Sequence, residues 1–296
     1  MTDIFNDMFI EDIGDKSAPP LLYLHGGPGT GSYDFVVFQK ERLADKIRLI
    51  AMDQRGVLRS REIGDSEEFG LENLVEDIEA VRRSLGISSW SVLGHSFGGY
   101  LGAVYANLYP SSVEKLIWEN ATFDLGLSAR SLLKGATLAF SNLGNHQMAK
   151  ACMEVAFSSP SKPAFDIWLE FSELTNELGE ERNSLYVHGI ERDFFEQLVE
   201  ESPLSSDEWS KAATHQRKLF EEGKVFESLL SRVPVQPTLL LKGKFDLVMS
   251  LDQVHAYTTG NPKTDLVVFS NSGHFPHAEE PDKFASEVIQ YIYATL

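Results

Sequence analysis

Trp90-Ser91-Val92-Leu93-Gly94-His95-Ser96-Phe97-Gly98-Gly99-Tyr100 runs from an apolar strand pattern into a serine with glycine two residues before and two after it, and then into a helical pattern. A serine on so sharp a strand-to-helix turn adopts a strained backbone, and strand and helix approach closely only where the flanking residues lack side chains. Gly94 and Gly98 meet that demand, so the stretch reads as a nucleophile elbow with Ser96 at its apex. Gly-x-Ser-x-Gly also recurs in loops around ordinary surface serines, so the meaning of Ser96 depends on what the rest of the chain sets beside it.

Outward from the elbow, residues 21–24, 47–52, 113–118, 235–241 and 266–269 form short apolar runs bounded by turn residues, the mark of strands buried on both faces of a parallel sheet. Residues 34–43, 71–85 and 100–108 follow the helical period, with Gly86 placed to stop the second helix. Residues 8–13 add an early strand, and Pro281 opens a last amphipathic helix through Phe284, Val288, Ile289 and Ile292. Strand and helix in alternation build an α/β fold, a mostly parallel sheet with helices on both faces. The alternation stops between residues 122 and 232, where helical patterns at 131–140, 146–157, 165–178, 193–200 and 207–230 enclose no buried strand. The chain therefore divides into a core, 1–121 with 233–296, and an inserted helical cap, 122–232.

With 296 residues, 43% of them hydrophobic, the chain can bury a large core. A formal net charge of −18 argues against capture of nucleic acid or an anionic membrane surface, and is compatible with a cationic ligand such as a free amine. Much of the acid lies in the cap, at Glu170, Glu173, Glu177, Glu180, Glu181, Glu196, Glu200 and Glu201; such runs are commonly a solvated face, with one or two members free to face a site. The single cysteine, Cys152, excludes an internal disulfide and a thiolate-rich metal centre, and fits a reducing compartment. The N-terminus lacks the basic-then-apolar order of a secretory signal and no later run is long enough to span a bilayer, so a soluble cytoplasmic protein is expected. No cofactor is called for, and the histidines lack the tight spacing of a metal site.

Three loops beyond the carboxyl ends of the strands carry the chemistry. Ser96 follows the elbow strand, Asp246 follows 235–241, and His274 follows 266–269, in the order serine, acid, histidine. A serine hydroxyl becomes a nucleophile when an imidazole takes its proton, and the imidazole works when a carboxylate holds its tautomer and offsets the charge it gains. His274 is the expected base and Asp246 its orienter, with Glu119 and Asp124 after the preceding strand as alternative acids. The oxyanion of the intermediate needs fixed donors, which the backbone N–H groups of Gly27 and Phe97 can supply. His25, His95 and His277 near the same loops read as structural hydrogen-bonders. Asp53 and Arg55, at the end of 47–52, read as loop braces that pair with each other.

His25-Gly26-Gly27-Pro28-Gly29, Asp53-Gln54-Arg55-Gly56 with Arg59-Ser60, Gly94-His95-Ser96-Phe97-Gly98-Gly99 and Gly273-His274-Phe275-Pro276 together resemble the proline iminopeptidase (prolyl aminopeptidase) family of α/β-hydrolases. Trp118-Glu119 resembles that family's Trp-Glu after the sixth strand and implies a substrate contact there. The resemblance implies an α/β-hydrolase fold and release of an N-terminal residue, typically proline, from short peptides through an acyl-enzyme. It also implies cap carboxylates that recognise the substrate's free amino group. The same machinery serves esters, lactones or acyl transfer, and a non-catalytic binding protein would share the scaffold.

Overall fold

The structure, a computed structural model, describes residues 2–5 and 7–295, with side chains from residue 5 onward. Eight strands form one sheet: β1 (Thr2–Phe5), β2 (Met8–Ile13), β3 (Pro20–Leu24), β4 (Arg48–Met52), β5 (Trp90–His95), β6 (Val113–Glu119), β7 (Thr238–Gly243) and β8 (Thr264–Phe269). Their spatial order is β1-β2-β4-β3-β5-β6-β7-β8. β1 and β2 run antiparallel at one edge, and every pairing from β4 to β8 is parallel.

Successive side chains on a strand point to opposite faces, and this splits the core into two layers. Leu22, Leu24, Val92 and Trp118 face one way and pack with α2 (Leu71–Ser84), α3 (Phe97–Leu108) and α10 (Leu251–Gly260), numbering α1 to α12 along the chain. Leu21, Tyr23, Leu93 and Leu241 face the other and pack with α1 (Tyr33–Leu43) and α12 (Pro281–Tyr293). β5 at the centre is buried at every residue. The expectation of burial on both faces fails at β8, which closes the other edge and leaves Leu266 and Val268 nearly half exposed. β1 and α10 were not legible: β1 spans four residues with a charge inside, and α10 has a broken apolar pattern, Leu-Asp-Gln-Val-His-Ala-Tyr.

Between β6 and β7 the chain forms α4 (Leu125–Asn142), α5 (His146–Ala156), α6 (Ala164–Asn176), a 3-10 turn (Gly179–Leu185), α7 (Phe194–Glu201), α8 (Ser206–Ser210) and α9 (Ala212–Glu222). Leu132, Leu133, Phe140, Cys152, Ile167 and Phe171 give α4 to α6 a core of their own. The single helix expected over 207–230 is broken, because Gly223 turns left-handed at φ 80° and ends α9. Phe123, Leu125, Leu219 and Val225 pack with the sheet's core rather than with the cap cluster, so both ends of the insertion are anchored below it.

Candidate active site

Ser96 stands between β5 and α3 with φ 54° and ψ −120°, a conformation costly for a residue with a side chain. The two glycines make the turn possible. A Cβ on Gly94 would lie 2.5 Å from the Gly98 carbonyl oxygen, and one on Gly98 would lie 2.0 Å from that of Leu24. Both contacts are with backbone, so neither could relax cheaply. Phe97 is the first residue of α3, and its N–H is one of the donors that no helix can satisfy internally. Gly27, in the glycine-proline turn after β3, borders the same cleft as Ser96 and His274.

His274 follows β8 and directs Nδ1 to Asp246 Oδ1 at 2.7 Å, so that Nε2 is the nitrogen left for chemistry. The Asp246 carboxylate is wholly buried and accepts from Val248 N–H at 3.0 Å, Met249 N–H at 2.8 Å and Lys242 Nζ at 3.0 Å. Burial alone would raise its pKa, but the Lys242 charge and the His274 and Lys242 hydrogen bonds hold it at about 2. Asp246 therefore stays ionised beside the imidazole throughout the neutral range. The alternative acids are committed elsewhere: Asp124 caps α4 by accepting from Leu127 N–H, and Glu119 binds His277.

The backbone of the His274 loop is clamped from three sides. His95 Nε2 donates to the His274 carbonyl at 3.0 Å, the His274 N–H donates to the Tyr186 carbonyl at 2.6 Å, and Asn120 Nδ2 donates to the Gly273 carbonyl at 2.9 Å. Asn120 Oδ1 in turn accepts from Gly243 N–H, tying the loop to the end of β7. Burial, reinforced by the His274 and His277 charges and opposed by Glu119, pushes His95 down to about 3, so it remains a neutral donor. His25 is likewise buried and structural, accepting from Gln54 N–H at Nε2 and bonding the Gly26 carbonyl at Nδ1. Lys242, Asn120 and Tyr186 escaped sequence reasoning, since an isolated lysine, asparagine or tyrosine has no motif of its own; placement just before Gly243 and just after Glu119 is the signal that points to the first two.

Four expectations need correction. Trp118 is fully buried and donates its indole N–H to Tyr257 Oη, and the Glu119 carboxylate, also fully buried, accepts from His277; neither borders the cleft as a substrate contact. Asp53 and Arg55 do brace loops, but not with each other: Asp53 holds Arg59 at 2.6 Å, and Arg55 reaches across to Asp77 on α2 at 3.0 Å. The acidic residues of the cap remain outside the cleft, with Glu170 on Lys162 and Glu181 on Arg192. The cleft itself, about 400 Å3, is walled by Trp168, Phe171, Tyr186, Phe195 and Phe275, and Arg182 and Gln216 are its polar members on the cap side.

An eight-stranded sheet in this order, with a serine elbow at its centre and an acid and a histidine on following loops, defines a hydrolase architecture. The sequence matches the alpha/beta hydrolase fold family over residues 19–281, and the chain belongs to that family. Its relatives carry a narrower name. A putative proline iminopeptidase of Mycoplasma genitalium is 25% identical over 281 residues, which is 88% of this chain and 86% of that protein. The proline iminopeptidase of Neisseria meningitidis is 38% identical over 113 residues, 38% of this chain and 36% of that one. Among solved structures, a proline iminopeptidase-related protein of Thermus thermophilus superposes with a TM-score of 0.76 at 20% identity, covering 99% of this chain and 97% of its own. An esterase of Exiguobacterium antarcticum shares the fold at a TM-score of 0.64 and 21% identity, covering 97% and 96%. Among the described residues no helix is long and apolar enough to cross a membrane, and no group of three or more His, Cys, Asp or Glu could hold a metal ion.

Proposed function

We propose that this chain is a cytoplasmic serine hydrolase, with Ser96 as nucleophile, that releases the N-terminal residue of short peptides, proline above all, through an acyl-enzyme. The observation that carries the reading is the 2.7 Å bond from Asp246 to His274 Nδ1 at a cleft that Ser96 also borders. His274 Nε2 takes the Ser96 hydroxyl proton as Oγ attacks the scissile carbonyl. The resulting oxyanion accepts from the Gly27 and Phe97 amides. Collapse breaks the carbon–nitrogen bond, and the proton on His274 passes to the leaving amine. Water then enters, gives a proton to His274 and attacks the ester carbonyl. The acid leaves as Ser96 recovers that proton.

The proline preference is supported by relatives named proline iminopeptidase across most of the chain. The aromatic walls suit a pyrrolidine ring, and their faces attract the substrate's secondary ammonium cation. A second reading, an esterase on small acyl substrates, is favoured by one feature: among the described residues that border the cleft the charged side chain is Arg182, which repels a free amine. Turnover of proline p-nitroanilide against p-nitrophenyl butyrate separates the two. Amide cleavage dependent on a free N-terminus supports the peptidase; ester turnover without it establishes the second reading.

A further inference from the structure

Among the described residues, every arginine other than Arg130 and Arg182 is held by a carboxylate. Arg130 is occupied in another way: its guanidinium donates to the carbonyls of Val155, Ala156, Ser158 and Ser159 past the end of α5. Arg182, in the 3-10 turn Gly179–Leu185, gives one hydrogen bond, from Nη1 to Asn176 Oδ1 at 3.0 Å, and its guanidinium lies 5.8 Å from the centre of the Phe171 ring. A guanidinium offers five N–H donors in a planar fork, so most of this one has no acceptor within the described residues. It borders the cleft of Ser96 and His274, and among the described residues that border it no Asp or Glu is present. In a chain of net charge −18, where every other arginine but Arg130 has found a carboxylate, this partly exposed fork at the reactive cleft is free to take an external anion.

We propose that Arg182 is a specificity residue that binds a carboxylate carried by the substrate, held two-pronged as a guanidinium holds planar oxyanions. The proposal rests on the serine-hydrolase reading above and names its substrate class: small acyl compounds with a free carboxylate a few bonds from the scissile carbonyl. In a peptide that group is the C-terminus, which selects dipeptides or tripeptides over longer chains. A cavity of about 400 Å3 is of the size that holds so small a ligand. In an ester it is the far end of a dicarboxylic half-ester.

Two matched pairs test the idea and separate these sources. Pro-Ala against Pro-Ala amide places the carboxylate on the leaving group; the mono-p-nitrophenyl ester of glutaric acid against p-nitrophenyl pentanoate places it on the acyl group. In at least one pair the carboxylate form is expected to have a kcat/KM about 10- to 100-fold higher, the scale of a charge-assisted bidentate contact, with the gain in KM. Arg182→Gln should erase that preference, and Arg182→Lys, which keeps the charge but not the fork, should restore part of it. Circular dichroism confirms that both variants are folded. No preference in the wild type for either pair, or a preference that survives Arg182→Gln, overturns the proposal. Labelling of Ser96 by a fluorophosphonate judges the serine-hydrolase reading separately. If neither pair is turned over, calorimetric titration of both into the Ser96→Ala protein replaces kinetics: tighter binding of a carboxylate form that Arg182→Gln abolishes supports the proposal, and equal binding within both pairs overturns it.

Discussion

Two buried histidines three positions apart each face a carboxylate, and of the two only His274 borders the cleft. His274 has Asp246 at 2.7 Å on Nδ1, the Lys242 ammonium sharing that carboxylate, and a ring that borders the cleft. His277 has Glu119 at 2.9 Å on Nδ1 and Asp34 at 3.5 Å from Nε2, and is wholly buried. Burial alone would lower the His277 pKa, but Glu119 and Asp34 together overcome it and raise it to about 10. An imidazole that holds its proton to that pH accepts none from a serine; it is a brace joining β6, α1 and the short helix Pro276–Glu279 that follows β8. A base needs one carboxylate whose charge is partly offset, and an open nitrogen. A brace needs carboxylates on both sides and no solvent.

The contrast can be broken most sharply at Ser96. Ser96→Ala is expected to cut kcat by about 10^4 to 10^6, the scale of removing a triad member; near-normal turnover would reject the elbow. Next come the two carboxylates. Asp246→Asn should lower kcat by about 10^4 through loss of the imidazole's orienter, and it also costs stability because the buried Lys242 ammonium loses its carboxylate. Glu119→Gln should likewise leave a buried cation short of its partner, destabilising the fold by about 3–5 kcal/mol in urea titration, but kcat changes far less. Equal kinetic losses in the two variants would dissolve the distinction.

A smaller effect is set by pH. His277 binds its proton more tightly folded, at about 10, than at its ordinary 6.5, so its contribution to stability is complete below 6.5 and lost as pH rises toward 10. Glu279, whose pKa burial raises to about 7 despite backbone hydrogen bonds from His188 and Phe275, acts in the same direction between 4.5 and 7. Asp246, depressed to about 2, acts oppositely: its contribution is present above 3.8 and lost as pH falls toward 2. Thermal unfolding should therefore show a falling limb between pH 7 and 10 that His277→Gln flattens; an unchanged limb in that variant would contradict the assignment.

The elbow turn, the parallel core and the placement of Ser96, Asp246 and His274 beyond strand ends were legible because they depend on local rules. Gly94 and Gly98 are required by contacts within ten residues of Ser96 or across one neighbouring strand, and apolar runs announce buried strands. What sequence could not give was long-range pairing. Arg55 finds Asp77 twenty-two residues away, and His277 finds Glu119 at a distance of 158; nothing in either local stretch encodes the partner. Charge runs misled for a related reason. The cap's many glutamates suggested an anchor for an amine, yet among the described residues that border the cleft the charged one is Arg182 and none is Asp or Glu.

The central claim is that Ser96 is activated by His274. Reaction with a fluorophosphonate, followed by peptide mass mapping, tests it in the wild type and in His274→Gln. One covalent adduct is expected, on Ser96, whose formation slows by at least about 100-fold in the variant, the lower end of what a positioned base contributes. An adduct on another residue, or an undiminished rate without His274, would contradict it.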